Sequence, residues 1–333
     1  MSPVASRPLL EAVGLGKQFT LKGGWFGRGR QTVHAVDDVS FRVYPGETLG
    51  LVGESGCGKS TLARCLVRLH AISSGTLRFE DQDITHLSTQ AMRPLRARLQ
   101  MVFQDPGASL NPRRRIGDLL AEPLRVHGVE RPADIAARVR ELLGLVGLRE
   151  AHLQRFPHEF SGGQRQRIGI ARALALSPRL IIADEPVSAL DVSIQAQILN
   201  LLAELQEELG LTYIFIAHDL SVVRQVSTRT AVMYLGSIVE MGPSDELFAQ
   251  PLHPYTQALI SAVPVAEVDP SRRRSRIIIA GDPPSPLAPP PGCRFAPRCP
   301  VSQALCRTER PALRALGEER MVACHFPLLA GTR

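Results

Sequence analysis

The segment from Gly53 to Thr61 constrains the fold of this chain more than any other. Its sequence, Gly-Glu-Ser-Gly-Cys-Gly-Lys-Ser-Thr, follows a short apolar run and precedes residues whose apolar side chains recur at helical spacing. Glycines at these places let backbone N–H groups turn inward around phosphate oxygens, and the N-terminus of the next helix adds partial positive charge. The segment therefore predicts a strand, a phosphate-binding loop and a helix.

The same loop predicts how a nucleotide is held. Lys59 would neutralise the β- and γ-phosphates, and the Ser60 hydroxyl would ligate Mg²⁺. A glycine-rich turn without a ligand is the competing interpretation, but the chain contains only three lysines, so a chance match is rare. The predicted nucleotide-binding residues of the loop are Gly53, Ser55, Gly56, Cys57, Gly58, Lys59, Ser60 and Thr61.

Two carboxylates, Asp184 and Glu185, follow a second apolar run at residues 180–183. The run predicts a buried strand, and α/β proteins bind ligands where such strands end. We expect Asp184 to join the Mg²⁺ shell and Glu185 to act as the general base on the attacking water. An Asp-Glu pair alone is more often a solvated loop, and its place after a strand is what favours a function.

The remaining segments predict an α/β fold with a mostly parallel sheet. Residues from about 9 to 52 alternate polar and apolar side chains between glycine-rich breaks, which predicts a small antiparallel sheet. Residues 180–209 predict a strand and a helix, and a further strand over residues 212–217 ends at His218. The arginine-rich segment at about residues 105–172 predicts an inserted helical subdomain.

Composition limits the function only weakly. The formal net charge of +7 suits a nucleotide, an acidic partner or an anionic membrane surface equally well. No run approaches about 18 apolar residues and the first residues lack an apolar signal region, so we expect neither a membrane span nor an export signal.

The C-terminal part of the chain combines prolines with cysteines. Residues 251–292 predict a helix and a proline-rich linker, and residues 293–326 a small module with four cysteines: Cys293, Cys299, Cys306 and Cys324. A reducing compartment disfavours disulfides, thiolates prefer soft metals, and so short a segment needs a cross-link to hold a shape. We predict one metal centre here, with unligated thiols as the alternative. Because the module is far in sequence from the nucleotide motifs, we expect its role to be structural.

A further motif, Ser161-Gly162-Gly163-Gln164, lies between the phosphate loop and the carboxylate pair. It is the signature sequence of ATP-binding-cassette (ABC) ATPases, and the chain resembles that family, with Gln104, residues 188–191 and His218 also in family order. The resemblance implies an ABC-type nucleotide-binding domain at residues 8–250. This domain would contain a parallel phosphate-loop NTPase sheet, an N-terminal antiparallel β-subdomain and an inserted helical subdomain.

The resemblance also implies site roles. Two cassettes would close head to tail, so that each ATP lies between the phosphate loop of one subunit and the signature of the other. Gln104 would sense Mg²⁺ and the attacking water, His218 would hold the γ-phosphate, and Phe19 would stack on adenine, with Trp25 and Phe26 as alternatives. The residues implied to face the partner's nucleotide are Ser161, Gly162, Gly163, Gln164 and Asp191.

Within the family, the chain resembles most the ATP-binding subunits of dipeptide and oligopeptide importers, specifically the second of their paired ATPases. The resemblance rests on residues 103–113, on residues 253–259 and on the cysteine tail. It implies ATP hydrolysis coupled to peptide import at the cytoplasmic face of the inner membrane. The implied partners are a second, paralogous ATPase subunit, two transmembrane permease subunits and a substrate-binding protein, and not nucleic acid.

The resemblance implies a [4Fe–4S] cluster on the four C-terminal cysteines, with structural Zn²⁺ as the alternative. Related nickel importers share much of the pattern, so an ATPase for nickel or another small solute is an alternative function. A soluble cassette acting on nucleic acid and a cassette that binds ATP without hydrolysing it are two further alternatives, which copurification with membrane subunits and ATP turnover would separate.

Overall fold

The computed structural model describes residues 7–21, 31–128, 131–263, 277–317 and 319–329. Trp25 and Phe26, the alternatives for adenine stacking, lie outside these residues. The strands are β1 (Leu10–Leu21), β2 (Gln31–Val43), β3 (Thr48–Val52), β4 (Ser74–Phe79), β5 (Gln82–Asp83), β6 (Leu99–Val102), β7 (Leu180–Asp184), β8 (Thr212–Ile216), β9 (Arg229–Tyr234), β10 (Ser237–Pro243), β11 (Arg314–Ala315) and β12 (Met321–Val322).

The helices alternate with these strands as the sequence predicts for an α/β protein. They are α1 (Lys59–Leu66), α2 (Thr89–Arg98), α3 (Pro106–Ser109), α4 (Ile116–Val126), α5 (Pro132–Leu145), α6 (Gly162–Leu174), α7 (Val192–Leu209), α8 (Leu220–Val226), α9 (Ser244–Ala249), α10 (Pro254–Ser261) and α11 (Ala304–Thr308). Short 3₁₀ turns lie at Glu150–Gln154, Pro157–Glu159 and Ala296–Arg298.

The chain forms two compact units. The signature unit comprises the described residues of Met1–Leu9, Val43–Thr48 and His86–Ile216. The phosphate-loop unit comprises the described residues of Leu10–Arg42, Leu49–Thr85 and Ala217–Arg333.

The signature unit is built on three parallel strands in the order β8-β7-β6. Every residue of the central strand β7 is buried, because strands on both sides and helices on its faces leave no solvated position. In the segment for which the sequence predicts helices, α4, α5 and α6 pack on one another. Leu120, Leu142 and Ile168, one from each of these helices, are fully buried.

The phosphate-loop unit contains two groups of strands. An antiparallel sheet has the order β2-β1-β4-β5, with the buried residues Leu10 and Phe79 opposite each other. The second group has the order β11-β12-β10-β9-β3, and only β3 and β9 are parallel. Strand β10 runs antiparallel to β9 because Leu235 and Gly236, both with positive φ, form a two-residue hairpin turn between them.

The C-terminal segment, by which we mean the described residues 277–317 and 319–329, belongs to the phosphate-loop unit. Its strand β12 pairs with β10, and the buried ring of Phe295 lies 5.3 Å from that of Tyr234 and 5.4 Å from that of Tyr255. The prediction of a small cysteine-rich module at residues 293–326 is therefore not supported as a separate body. So short a segment has too few large apolar side chains for a core of its own, and it packs on those of the cassette.

Candidate nucleotide-binding site

The phosphate loop joins β3 to α1 as predicted, and its glycines are required by its backbone. Gly58 has φ +108°, and a Cβ there would lie 2.1 Å from the carbonyl oxygen of Ala35. A Cβ at Gly53 would lie equally close to the carbonyl oxygen of Met233. Ser55 and Gly56 of the loop are exposed to solvent.

Lys59 begins α1 and is 4% exposed. Its Nζ donates hydrogen bonds to the carbonyl oxygens of Gly53 at 2.7 Å and Glu54 at 3.0 Å. The thiol of Cys57 fills the inside of the loop, where burial raises its pKa. Lys59 therefore supplies the positive charge that an anionic phosphate requires, and the buried Cys57 thiol adds no charge to the inside of the loop.

Glu54 is held by two residues that are far from it in the sequence, Tyr255 and Arg298. Its backbone N–H donates to the Tyr255 hydroxyl at 2.9 Å, and its carboxylate accepts two hydrogen bonds from Arg298, at 2.8 and 3.1 Å. The sequence motifs predict no role for Glu54, Tyr255 or Arg298. Because 244 residues separate Glu54 from Arg298, no local pattern could have revealed the pair.

Two other predicted residues lie in the phosphate-loop unit. Ala217 donates its N–H to the carbonyl oxygen of Leu51, which places the exposed His218 at the end of β3 from which the phosphate loop begins. Phe19, the predicted adenine platform, lies on β1 with its ring edge-on to His70, and Lys17 Nζ lies 4.7 Å from the ring centre. The role of each residue in binding ATP stays a prediction.

The carboxylate pair lies in the signature unit, at the end of β7. Asp184 is the last residue of that strand and is 2% exposed, and Glu185 follows with φ +48°. The amide Nε2 of Gln104, which follows β6, donates to Glu185 Oε2 at 2.9 Å. The fold thus brings together two predicted catalytic residues that are 81 positions apart.

The signature forms the N-terminus of α6. The Ser161 hydroxyl accepts a hydrogen bond from the Gln164 N–H at 3.3 Å, and Gln164 Oε1 accepts one from the Ser161 N–H at 3.1 Å. This capping box satisfies two backbone N–H groups at the start of the helix. Ser161 itself is exposed, as is Asp191 at the start of α7. The helix N-terminus and these side chains are therefore accessible to a ligand or a partner.

The C-terminal cysteines line one small cavity in the phosphate-loop unit. Cys293, Cys299, Cys306 and Cys324 share it with the rings of Phe295 and His325. Burial raises the pKa of Cys293, Cys299 and Cys324, the last to about 11, and neighbouring thiols raise each further. Among the described residues, no three or more His, Cys, Asp or Glu side chains form a group that could hold a metal ion. The absence of such a group from the described part of the chain does not support the prediction of a metal centre.

The C-terminal segment is not remote from the nucleotide motifs in space. Arg298, which contacts Glu54 of the phosphate loop, directly precedes Cys299. Distance along the sequence therefore does not keep this segment away from the phosphate loop, because sequence distance does not limit contacts between elements of one folded unit. The expectation that the role of the segment is structural stays a prediction.

The chain is similar to known proteins over nearly its whole length. A family model described as ABC transporter matches residues 36–188, and one described as oligopeptide/dipeptide transporter, C-terminal region, matches residues 239–306. Its solved structural neighbours include the ATP-binding cassette MJ0796 in a dimeric post-hydrolysis state bound to ADP and Pi. That structure aligns with TM-score 0.63 and 27% identity and covers 71% of this chain and 98% of the other. The fold and the motifs define an ABC ATPase.

Relatives narrow the class further. The oligopeptide transport ATP-binding protein AppF of Bacillus subtilis is 52% identical over 98% of this chain and 99% of its own length. The di/tripeptide transport ATP-binding protein DppF of Pseudomonas aeruginosa is 50% identical over 95% of this chain and 97% of its own length. The chain therefore belongs to the ATP-binding subunits of oligopeptide and dipeptide ABC transporters. None of the described helices combines the length and the apolar character that crossing a membrane requires.

Proposed function

We propose that this chain hydrolyses MgATP to energise the import of dipeptides and oligopeptides. The observation that carries the chemistry is the hydrogen bond between Gln104 and Glu185 at the end of a buried strand. A carboxylate and an amide joined in this way can orient one water, which supports the roles proposed for Glu185 and Gln104. The peptide substrate is supported by the relatives, one of which carries out oligopeptide transport and another di/tripeptide transport.

Each predicted residue has a part in this reaction. Lys59 and the N–H groups of the phosphate loop hold the β- and γ-phosphates, and His218 contacts the γ-phosphate. Glu185 takes a proton from water as the water oxygen bonds to the γ-phosphorus, and the bond from that phosphorus to the β–γ bridging oxygen breaks to leave ADP. Ser60, Gln104 and Asp184 would be the residues that hold Mg²⁺, and the bound ion would neutralise phosphate charge. Phe19 stacks on adenine.

A second cassette completes the site. Ser161, Gly162, Gly163, Gln164 and Asp191 would contact the nucleotide held by the phosphate loop of the partner, because the N-terminus of α6 offers N–H groups and positive partial charge to a phosphate. The exposure of Ser161 and Asp191 supports this role. We propose that residues 8–250 form the ATPase domain, with a helical part at about residues 105–172. A helix and linker at residues 251–292 and a four-cysteine part at residues 293–326 follow it.

The chain works with membrane partners at the cytoplasmic face of the inner membrane. These partners are a second, paralogous ATPase subunit and two permease subunits, and a substrate-binding protein delivers the peptide. The test is a pulldown of the full chain from membranes, with identification of its stoichiometric partners, followed by ATP turnover of the assembly. Stimulation by peptide-loaded binding protein supports the proposal, whereas stimulation by a nickel-loaded one, or copurification with nucleic acid alone, contradicts it.

We also propose that Cys293, Cys299, Cys306 and Cys324 hold one [4Fe–4S] cluster, with Zn²⁺ as the alternative. Their sharing of one cavity supports this proposal. Each iron of such a cluster takes its own thiolate, so the ligands surround a group of atoms rather than a single ion. Bound, the cluster would cross-link the C-terminal segment.

The metal proposal is tested by the colour of anaerobically purified protein. We expect the protein to absorb broadly at about 400 nm. The Cys299→Ser variant should lose this absorption, and the matched control Cys65→Ser should keep it. Cys65 is buried in α1 and lines no part of the cysteine cavity. Colourless protein with one equivalent of zinc would replace the cluster with a zinc site, and protein without either metal would remove the proposal.

A further inference from the structure

The phosphate loop contains one carboxylate, that of Glu54. Glu54 lies between the first glycine of the loop and Ser55, and its side chain is 27% exposed, so water screens its charge only in part. A carboxylate near a triphosphate opposes binding, because like charges in a partly desolvated site repel each other. The affinity of the loop for ATP therefore depends on what neutralises Glu54.

Arg298 of the C-terminal segment neutralises this carboxylate. Its two terminal nitrogens donate to the two oxygens of Glu54, which is the geometry in which a guanidinium pairs best with a carboxylate. The guanidinium group of Arg298 is itself held in place. Its Nε donates to the carbonyl oxygen of Gly281 at 3.1 Å, and the group lies 5.9 Å from the centre of the Tyr234 ring. With its side chain only 8% exposed, Arg298 has little freedom to leave Glu54.

The backbone of Glu54 joins this contact to the motif lysine. Its N–H is held by the Tyr255 hydroxyl, and its carbonyl oxygen accepts the hydrogen bond from Lys59 Nζ at 3.0 Å. Arg298 thus neutralises the side chain of Glu54, and Tyr255 holds its backbone. The same residue, Glu54, contacts Lys59. Three other arginines of the described C-terminal segment pair with carboxylates outside the loop: Arg294 and Arg310 with Asp37, and Arg320 with Glu240.

We infer that Arg298 is a positioning residue for nucleotide binding, which neutralises the Glu54 carboxylate and fixes its orientation so that the phosphate loop accepts MgATP. The inference rests on the proposed role of Lys59 and its loop in binding MgATP. It gives the C-terminal segment a direct effect on nucleotide affinity.

The test is the Kd for MgATP of the full chain and of four variants, measured by displacement of a fluorescent ATP analogue. Arg298→Gln releases the Glu54 charge and should weaken binding roughly fivefold at low salt, and this loss should shrink at about 1 M salt. The matched control Arg310→Gln removes another ion pair between the C-terminal segment and the cassette and should leave the Kd unchanged. Lys59→Ala should lose binding, which tests the loop itself.

The fourth variant separates charge neutralisation from a general loss of structure. Adding Glu54→Gln to Arg298→Gln removes the released charge while keeping a hydrogen-bonding side chain, so the double variant should bind MgATP about as tightly as the unaltered chain. Restored affinity supports the inference. Unrestored affinity overturns it, as does an equal weakening in Arg298→Gln and Arg310→Gln. Should Arg298→Gln fail to fold, Glu54→Gln alone decides the matter, because weaker binding by that variant contradicts a repulsive role for the carboxylate.

Discussion

The phosphate loop and the C-terminal segment lie in the same unit, yet they are organised in opposite ways. The loop takes its shape from nine consecutive residues, whose glycines adopt a backbone that other residues cannot follow. The C-terminal segment takes its place from contacts with residues far away, such as those of Phe295 with Tyr234 and Tyr255. The chemistry of the phosphate loop is therefore specified by a short motif. The C-terminal segment, in contrast, depends on the rest of the unit for its structure.

This difference predicts separate effects of mutation. Substitutions in the contiguous motifs should change the rate of hydrolysis and alter the stability of the chain by no more than about 1 kcal/mol. Substitutions of buried apolar residues in the C-terminal segment should change stability before they change the rate. Each of the following substitutions tests one side of that division.

The largest effect is expected from Glu185→Gln, which removes the base but keeps the hydrogen bond from Gln104. ATP turnover should fall roughly a hundredfold or more while MgATP binding is retained, because positioning survives without proton transfer. Turnover should be measured in an assembly whose other ATPase is inactive. Glu141→Gln, which removes an exposed ion pair in the same unit, is the control. Near-normal turnover by Glu185→Gln would show that the base is another group.

Phe295→Ala should have the largest effect on stability. The ring is 1% exposed among other aromatic rings, so its loss should cost about 3–4 kcal/mol of unfolding free energy. Denaturant unfolding of the full chain measures this loss. Leu305→Ala, at a position that is 42% exposed in the same segment, should cost less than about 1 kcal/mol. Equal costs at the two positions would mean that the segment is not held by its buried side chains.

The smallest effect is expected from Ser161→Ala, compared with Ser88→Ala. Both hydroxyls accept a hydrogen bond at the start of a helix, α6 for Ser161 and α2 for Ser88, so each change should cost about 1 kcal/mol of stability. Only Ser161→Ala should also lower ATP turnover of the paired cassettes, by roughly tenfold, because only Ser161 would face the nucleotide of the partner. A closed complex in which Ser161 contacts the ATP held by Lys59 of its own chain would contradict this assignment.

Much of the α/β fold follows from local patterns. The strand, loop and helix around the phosphate loop and the strand before Asp184 form as predicted, because apolar runs and glycine spacing act over a few residues. The antiparallel hairpin of β9 and β10 was harder to predict from the sequence, since Leu235 is not a residue that usually marks a turn with positive φ. The membership of the chain in the peptide-importer ATPases is confirmed by its relatives, and the individual site roles stay predictions.

By itself, the sequence determined the chemistry that the motifs can perform: a loop for phosphates, a carboxylate pair after a strand and a signature at a helix N-terminus. Each depends on residues that are neighbours along the chain, so backbone sterics and residue type are enough to specify it. Only the tertiary structure decided that Gln104 meets Glu185 and that Arg298 meets Glu54. Pairs of this kind form when the core of a unit closes, because the free energy that joins them comes from burial spread over the whole unit rather than from the pair itself.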